Sequence, residues 1–401
     1  MKYIRNISRL ILKGIAALLM IALFGVFATS VSPIYDFRDA EPFHGPDIFN
    51  PYRNIDSIPD WKRANFHTHT RVEGLMNECE KWPGDVLKEY EKYGYDIVTF
   101  SNHNEITTHP QSPELQVNLY EHGYNLFKYH KLVFGAEDVR HFDHILPVFA
   151  SQKQFQMELL KKDADMIQLN HPLRTNTLTK DQLQKLSGYR LIELDSGKST
   201  ENEYWDWALS AGRYSFALAN DDLHFPDQSD KIAVRCNFLN TKSANYNDIL
   251  QTLKEGGFYC MRVPDYGNGD WEAKYEGNRH LPSITSIGLR DSTVHVAFSA
   301  TADSIKVFGQ NHTTLSAAYA ADCIEYTMKR EDPYARITAY FPDGEVIYTN
   351  PFARYDSSTQ DSPFNDAPAE INITLTILFN LLLLALCIAD GYLFYRYIIR
   401  K

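Results

Sequence analysis

Histidines and carboxylates recur at one kind of place in this chain, and as a set they suit the binding of divalent metal ions. His67-Thr68-His69 follows the apolar run that ends at Phe66, and His103 follows the run 96–100. His171 follows Ile167-Gln168-Leu169-Asn170, and Asp222-Leu223-His224 follows Phe216-Ala217-Leu218-Ala219. Glu137 follows Val133-Phe134-Gly135-Ala136. Side chains alternate along a strand, so His-x-His puts both imidazoles on one side of the chain. Two such nitrogens suit a borderline cation such as zinc or manganese. A carboxylate among imidazoles can bridge two cations and reduce their repulsion. Cations held close together share a hydroxide at neutral pH and clamp the attacking and leaving oxygens, which suits hydrolysis of phosphate esters. Each residue alone reads as ordinary loop polarity; the set together does not. Glu73 follows His69 by one short turn and can reach the same space. Arg174, three residues after His171, is placed to bind a phosphate oxygen, because guanidinium matches that geometry. Lys198 is a second candidate for that task. His109, His122 and His130 lie off the expected strand ends and read as structural or surface residues.

Positioning such a set requires strands whose ends converge. Strand-like runs at 64–67, 96–100, 131–134, 166–169, 190–194 and 215–218 alternate with helix-like stretches at 85–92, 112–129, 152–162, 179–186 and 201–211. This alternation implies parallel βα units. Six or seven such units fit a β/α barrel better than an open nucleotide-binding sheet, since no Gly-rich phosphate turn follows the first strand. The C-terminal ends of barrel strands share one face, where active sites are built. A helix at 246–255, stopped by Gly256-Gly257, closes this part. Short strand-like runs from residue 283 and the turn signal Pro342-Asp343-Gly344 read as a small β-sandwich over 280–355.

Both ends of the chain are apolar. The stretch 10–31, preceded by Lys2, Arg5, Arg9 and Lys13, fits either an uncleaved membrane anchor or a signal peptide cut after Ala28-Thr29-Ser30. The run from Ile371 to Tyr395 has the length of a transmembrane helix, and Arg396, Arg400 and Lys401 after it favour a cytoplasmic C-terminus. Either reading leaves residues 33–368 on the extracytoplasmic side of a plasma membrane. The net charge of -11 argues against a nucleic-acid partner, though not against a small phosphorylated substrate. Among the 5 cysteines there is no CxxC spacing that would suggest a cysteine zinc site. Cys236 and Cys260 read equally as a disulfide or as free buried thiols.

His67-Thr68-His69-Thr70, Ser101-Asn102-His103-Asn104, Gly135-Ala136-Glu137, His171-Pro172-Leu173-Arg174 and Asp222-Leu223-His224 together resemble the motifs of the PHP family, the polymerase and histidinol phosphatase domains. Asn102 departs from that family's usual Thr-Asp-His. The resemblance covers residues 61–265 and implies a distorted (β/α)7 barrel with two or three divalent ions (Mn, Zn or Fe). It implies a first ion on His67, His69, Glu137 and Asp222, a second on Glu73, Glu137 and His224, and a third on His103, His171 and either His144 or His141, with His144 preferred. The expected organisation is an N-terminal membrane segment (1–32), a linker (33–60), the barrel (61–265), the β-sandwich (280–355), a second linker (356–370) and a transmembrane helix (371–396). The expected activity is hydrolysis, by a metal-bridging hydroxide, of a small-molecule, lipid-linked or glycan-linked phosphate ester. A metal-dependent amidohydrolase of an envelope component and a non-catalytic scaffold are the competing readings.

Overall fold

The computed structural model describes residues 2–55, 59–73, 77–174, 177–194, 202–364, 367 and 369–400, with side chains from residue 7 onward. Lys198 lies outside the described residues. A 5-stranded sheet runs in the order Leu119–His122, Lys131–Phe134, Met166–Leu169, Leu191–Glu193 and Phe216–Leu218. All of its residues are buried, as expected where both faces of a sheet are covered. The 11-stranded sheet begins with Ile97–Val98 and Lys62–Asn65, which are parallel, and continues through Arg235–Leu239, Phe258–Arg262 and Val346–Thr349 into the C-terminal strands. Two isolated parallel bridges, Thr68 with Leu223 and His103 with Glu121, join the sheets. The strands expected to form one barrel therefore lie in two separate sheets that meet at single residues. Ile97–Val98 is only 2 residues long, and the second edge of Lys62–Asn65 pairs with Arg235–Leu239.

Two elements differ from expectation, and both bear on the site. The stretch 112–129, expected as a helix, holds only a 3-10 turn at Pro113–Leu115, followed by the strand Leu119–His122. That strand pairs in full register with Lys131–Phe134, and cross-strand packing overrides the local preference. In addition, Lys131–Phe134 runs antiparallel to both of its neighbours. A parallel return needs a crossover of a dozen or more residues, and the connection 123–130 is too short for one.

The C-terminal strands are continuous with the rest of the molecule. Val346–Thr349 ladders with Phe258–Arg262, and Phe352–Tyr355 pairs with Asp47–Phe49 from the expected linker. Asp206, on the helix Glu203–Ser210, accepts from Arg336 Nε at 2.9 Å and from the Tyr334 hydroxyl at 2.8 Å. Arg336 Nη2 also pairs with Asp206, and both side chains are fully buried. Cys236 and Cys260 are buried free thiols, one register position apart on paired strands.

Among the described residues two helical stretches are long and apolar enough to cross a membrane, Ile7–Thr29 and Ile373–Ile399. Their inner surfaces meet in antiparallel fashion. The Ile34 amide donates to Thr376 Oγ1 at 2.8 Å, and Asn380 accepts from the Ser32 amide at 3.3 Å and donates to its carbonyl at 3.1 Å. Asn380, a polar residue within an apolar run, thus satisfies the backbone of the departing chain.

Removing one partner of a buried ion pair strands the other charge. Arg336→Ala is expected to lower unfolding stability by about 3–5 kcal/mol, measured by denaturant melts of the full chain in detergent.

Candidate metal centre

The ends of the parallel strands bring His67, His69, His103, His171, Asp222 and His224 together. The ladder continues past the strands to hold them: the His69 amide donates to the Leu223 carbonyl at 2.9 Å, and the Ser101 amide to the Thr68 carbonyl at 2.9 Å. At the middle of the group stands Glu121, from the strand read as helix. Its Oε1 lies 3.2 Å from His67 Nε2, 3.1 Å from His130 Nδ1 and 3.3 Å from His171 Nε2. Its Oε2 lies 3.2 Å from His69 Nε2 and 3.0 Å from His103 Nε2. Asp222 Oδ1 reaches the Nε2 atoms of His67 at 3.1 Å, His69 at 3.2 Å and His224 at 3.2 Å. Glu78 Oε2 lies 3.4 Å from both His69 Nδ1 and His103 Nε2.

Three of the expected residues lie outside this cluster. Glu137 is exposed and apart from the cluster. It follows the C-terminal end of Lys131–Phe134, and because that strand is reversed this end points away from the site. For the same reason His130, just before that strand, points in. His144 is buried elsewhere, with its ring against Phe142 and Phe155 and its Nδ1 3.2 Å from Gln156; His141 is exposed. Glu73 is exposed, and Glu78 is instead the carboxylate of this region that reaches the cluster, against His69 and His103. This region is closed by the Arg71 amide donating to the Lys81 carbonyl at 2.7 Å. Asn102 does not reach the cluster: it accepts from the Thr70 amide at 2.8 Å and donates to the Thr70 and Thr107 hydroxyls, each at 2.7 Å.

A second carboxylate orients the rings. Glu193 Oε1 lies 2.9 Å from His67 Nδ1, and its Oε2 accepts from the His171 amide at 2.8 Å. This leaves His67 Nε2 facing Glu121 and Asp222. Carboxylates that fix a ligating histidine's tautomer in this way commonly accompany metal sites. Arg174 donates through Nη1 to Asp222 Oδ2 and is partly exposed, so the guanidinium lies at the rim of the cluster. His171 and Asp222 hold left-handed backbone, with φ of 26° and 49°, a cost that surrounding structure must impose.

The residues fit divalent cations. The Nε2 atoms of His67 and His69 are buried without an aligned hydrogen-bond partner among the described residues, although carboxylate oxygens crowd them. Buried polar atoms are normally paired, and lone pairs converging on shared carboxylates are what a cation satisfies. Three overlapping groups place their ligand atoms within 4.8 Å of one another: His67, His69, Glu121 and Asp222; His69, Glu78 and His103; His103, Glu121 and His130. Without cations, protons take that place. Burial works to lower the His67 pKa, but the Glu121, Asp222 and Glu193 carboxylates raise it well above the usual value. Burial likewise opposes protonation of His69, and the adjacent Asp222 and Glu121 carboxylates bring it up to about 9. Burial would raise Glu121, but His103, His67 and His130 hold it well below the carboxylate range. His130 differs: burial takes it down to about 3 despite Glu121.

No family model matches the chain, and no curated protein matches it. A solved structure from Bacteroides vulgatus, described as a two-domain protein containing a predicted PHP-like metal-dependent phosphoesterase, is similar over 79% of this chain and 100% of that one. The identity is 16% and the TM-score 0.39.

Two outcomes follow. Glu121→Gln is expected to lower bound manganese or zinc at least about tenfold, in the range of ligand-shell losses, whereas Glu137→Gln leaves it unchanged, as read by elemental analysis of dialysed protein. The raised His67 and His69 mean that cations must displace protons. Binding at pH 7 therefore releases about one to two protons and weakens as pH falls. Calorimetry in buffers of different ionisation enthalpy measures that release.

Proposed function

We propose that this chain is a membrane-tethered, metal-dependent phosphoesterase whose bulk lies outside the cytoplasm. The observation that carries the reading is Glu121 in contact with five imidazoles, beside a second carboxylate that pairs with an arginine. Bound divalent ions would supply charge neutralisation and an acidified water at neutral pH. His67, His69, Glu121 and Asp222 would hold one ion. Glu78, His103, His130, His171 and His224 would complete the set for one or two more. Arg174 keeps Asp222 in place and presents its remaining N–H groups at the rim, where a tetrahedral oxyanion would meet a fork of donors. Such donors stabilise charge spread over equatorial phosphate oxygens.

The seven strands around the cluster are read as a distorted barrel whose ring is closed by the Thr68–Leu223 and His103–Glu121 bridges. The antiparallel terminal helices put Arg9 and Lys13 at the same end as Arg396 and Arg400, which supports a cytoplasmic location for that end.

The test is hydrolysis of aryl phosphates and phosphodiesters by the full chain with added manganese, zinc or iron. His67→Ala is expected to abolish turnover, and Arg174→Ala to raise KM for a phosphate ester by about tenfold or more, as loss of a charged hydrogen bond predicts. Amide hydrolysis insensitive to Arg174→Ala would contradict the reading.

A further inference from the structure

Two hydrogen-bonded segments, 123–128 and 142–149, connect the rim of the candidate centre to both terminal helices. Gly123 turns the chain out of the Leu119–His122 strand at a φ of 119°, where a Cβ would lie 3.1 Å from the Tyr129 carbonyl oxygen and 3.2 Å from Asp143. One edge of the loop 123–128 rests on the centre. The Tyr124 ring lies 4.9 Å from the His103 ring, and its hydroxyl donates to the His103 carbonyl at 3.1 Å. Thr177, whose amide donates to the Arg174 carbonyl at 3.2 Å, donates its hydroxyl to the Phe127 carbonyl at 2.6 Å.

The other edge is fastened to the segment 142–149. Asp143 Oδ2 accepts from the Tyr124 amide at 2.9 Å and the Asn125 amide at 3.1 Å, and the Leu126 amide donates to the Ile145 carbonyl at 3.1 Å. This segment then meets both helices. The Ile145 amide donates to Thr29 Oγ1 at 3.4 Å, and a Cβ on Gly25 would lie 3.3 Å from Ile145 Cδ1. The Phe149 ring stands edge-on to Phe379 at 6.1 Å.

At this junction apolar side chains face outward: Leu126 is 71% exposed, Phe149 55% and Val148 48%. Clustered apolar exposure marks an interaction surface, and its contacts say what covers it. At 1.5 Å per residue, Gly25 lies about 6 Å inside the end of its helix at Thr29, and Phe379 about 9 Å inside the start of its own at Ile373. That is the depth at which monotopic apolar elements sit, at the boundary of headgroups and acyl chains.

We propose that Leu126, Val148 and Phe149 seat in the near leaflet beside the two helices, so that the centre takes its phosphate ester from the bilayer surface. The substrate class is an amphiphile with a phosphorylated headgroup. The chemistry rests on the phosphoesterase reading; the seat rests only on the helices spanning a membrane.

The full chain is reconstituted into phosphatidylcholine vesicles with or without bromine on the acyl chains. Leu126→Trp and Phe149→Trp are each expected to add emission that the bromolipid quenches by about half or more, as for side chains at the acyl boundary. Tyr319→Trp, on the exposed strand Thr313–Thr327, should not be quenched. No quenching at 126 and 149 overturns the seat. In the same vesicles with manganese, the double variant Leu126→Glu/Phe149→Glu is compared on phosphatidic acid and on soluble p-nitrophenyl phosphate. Hydrolysis of phosphatidic acid is expected to fall about tenfold while the soluble substrate changes less than about twofold, since only the first needs the seated surface. Equal effects on the two substrates, or none on the lipid, overturn the substrate assignment even with quenching present. Failure of the unmodified protein to hydrolyse either substrate overturns the phosphoesterase reading and the substrate class with it, and the quenching still decides the seat.

Discussion

A carboxylate buried among five imidazoles is the constraint from which the architecture follows. Glu121 is 1% exposed, and a buried carboxylate is costly unless cations or hydrogen-bond donors surround it. Asn170 supplies one donor at 2.8 Å, and the remaining neighbours are histidines. The backbone on either side of Glu121 is committed as well: its amide donates to the Asn102 carbonyl at 3.2 Å, and its carbonyl accepts from the Asn104 amide at 2.9 Å. That exchange is one of the two bridges that tie the sheets together. The junction of the two sheets and the centre of the cluster thus fall at the same residue. The left-handed backbone of His171 and Asp222 fits this view, since strain persists where the surroundings over-determine it.

Much of the cluster is legible in the sequence because the strands ending before His67, His171 and Asp222 run in the same direction. Apolar runs followed by imidazole or carboxylate mark such ends directly. One strand breaks this pattern. Lys131–Phe134 reads as a strand from its composition, but composition carries no direction. With the strand reversed, the residue before it enters the site and the residue after it leaves, which exchanges His130 for Glu137. Glu121 was hidden for another reason. Leu119-Tyr120-Glu121-His122 alternates in neither polarity nor burial, so only its pairing with Lys131–Phe134 identifies it as a strand. Gly123, inside the expected helix, is the local signal against a long helix.

The periphery also departs from a string of separate modules. Residues 47–49, expected as linker, form an edge strand with Phe352–Tyr355, and the C-terminal strands extend the sheet that holds Lys62–Asn65. The Asp206–Arg336 pair ties the helix Glu203–Ser210 to the strand Tyr334–Tyr340. The terminal helices are tied to each other through Ser32 and Ile34 and to the body through Tyr35 and the segment 142–149, so the orientation of the cluster relative to them is set by packing rather than by free linkers.

The proposed chemistry requires divalent cations at the Glu121 cluster. Anomalous X-ray diffraction at the absorption edges of manganese, iron and zinc, on crystals of the full chain, tests it most directly. Anomalous density is expected at bonding distance from Glu121 together with His67 and His69. Crystals of metal-supplemented protein showing no such density at Glu121, with its imidazoles hydrogen-bonded to the carboxylates alone, would contradict it.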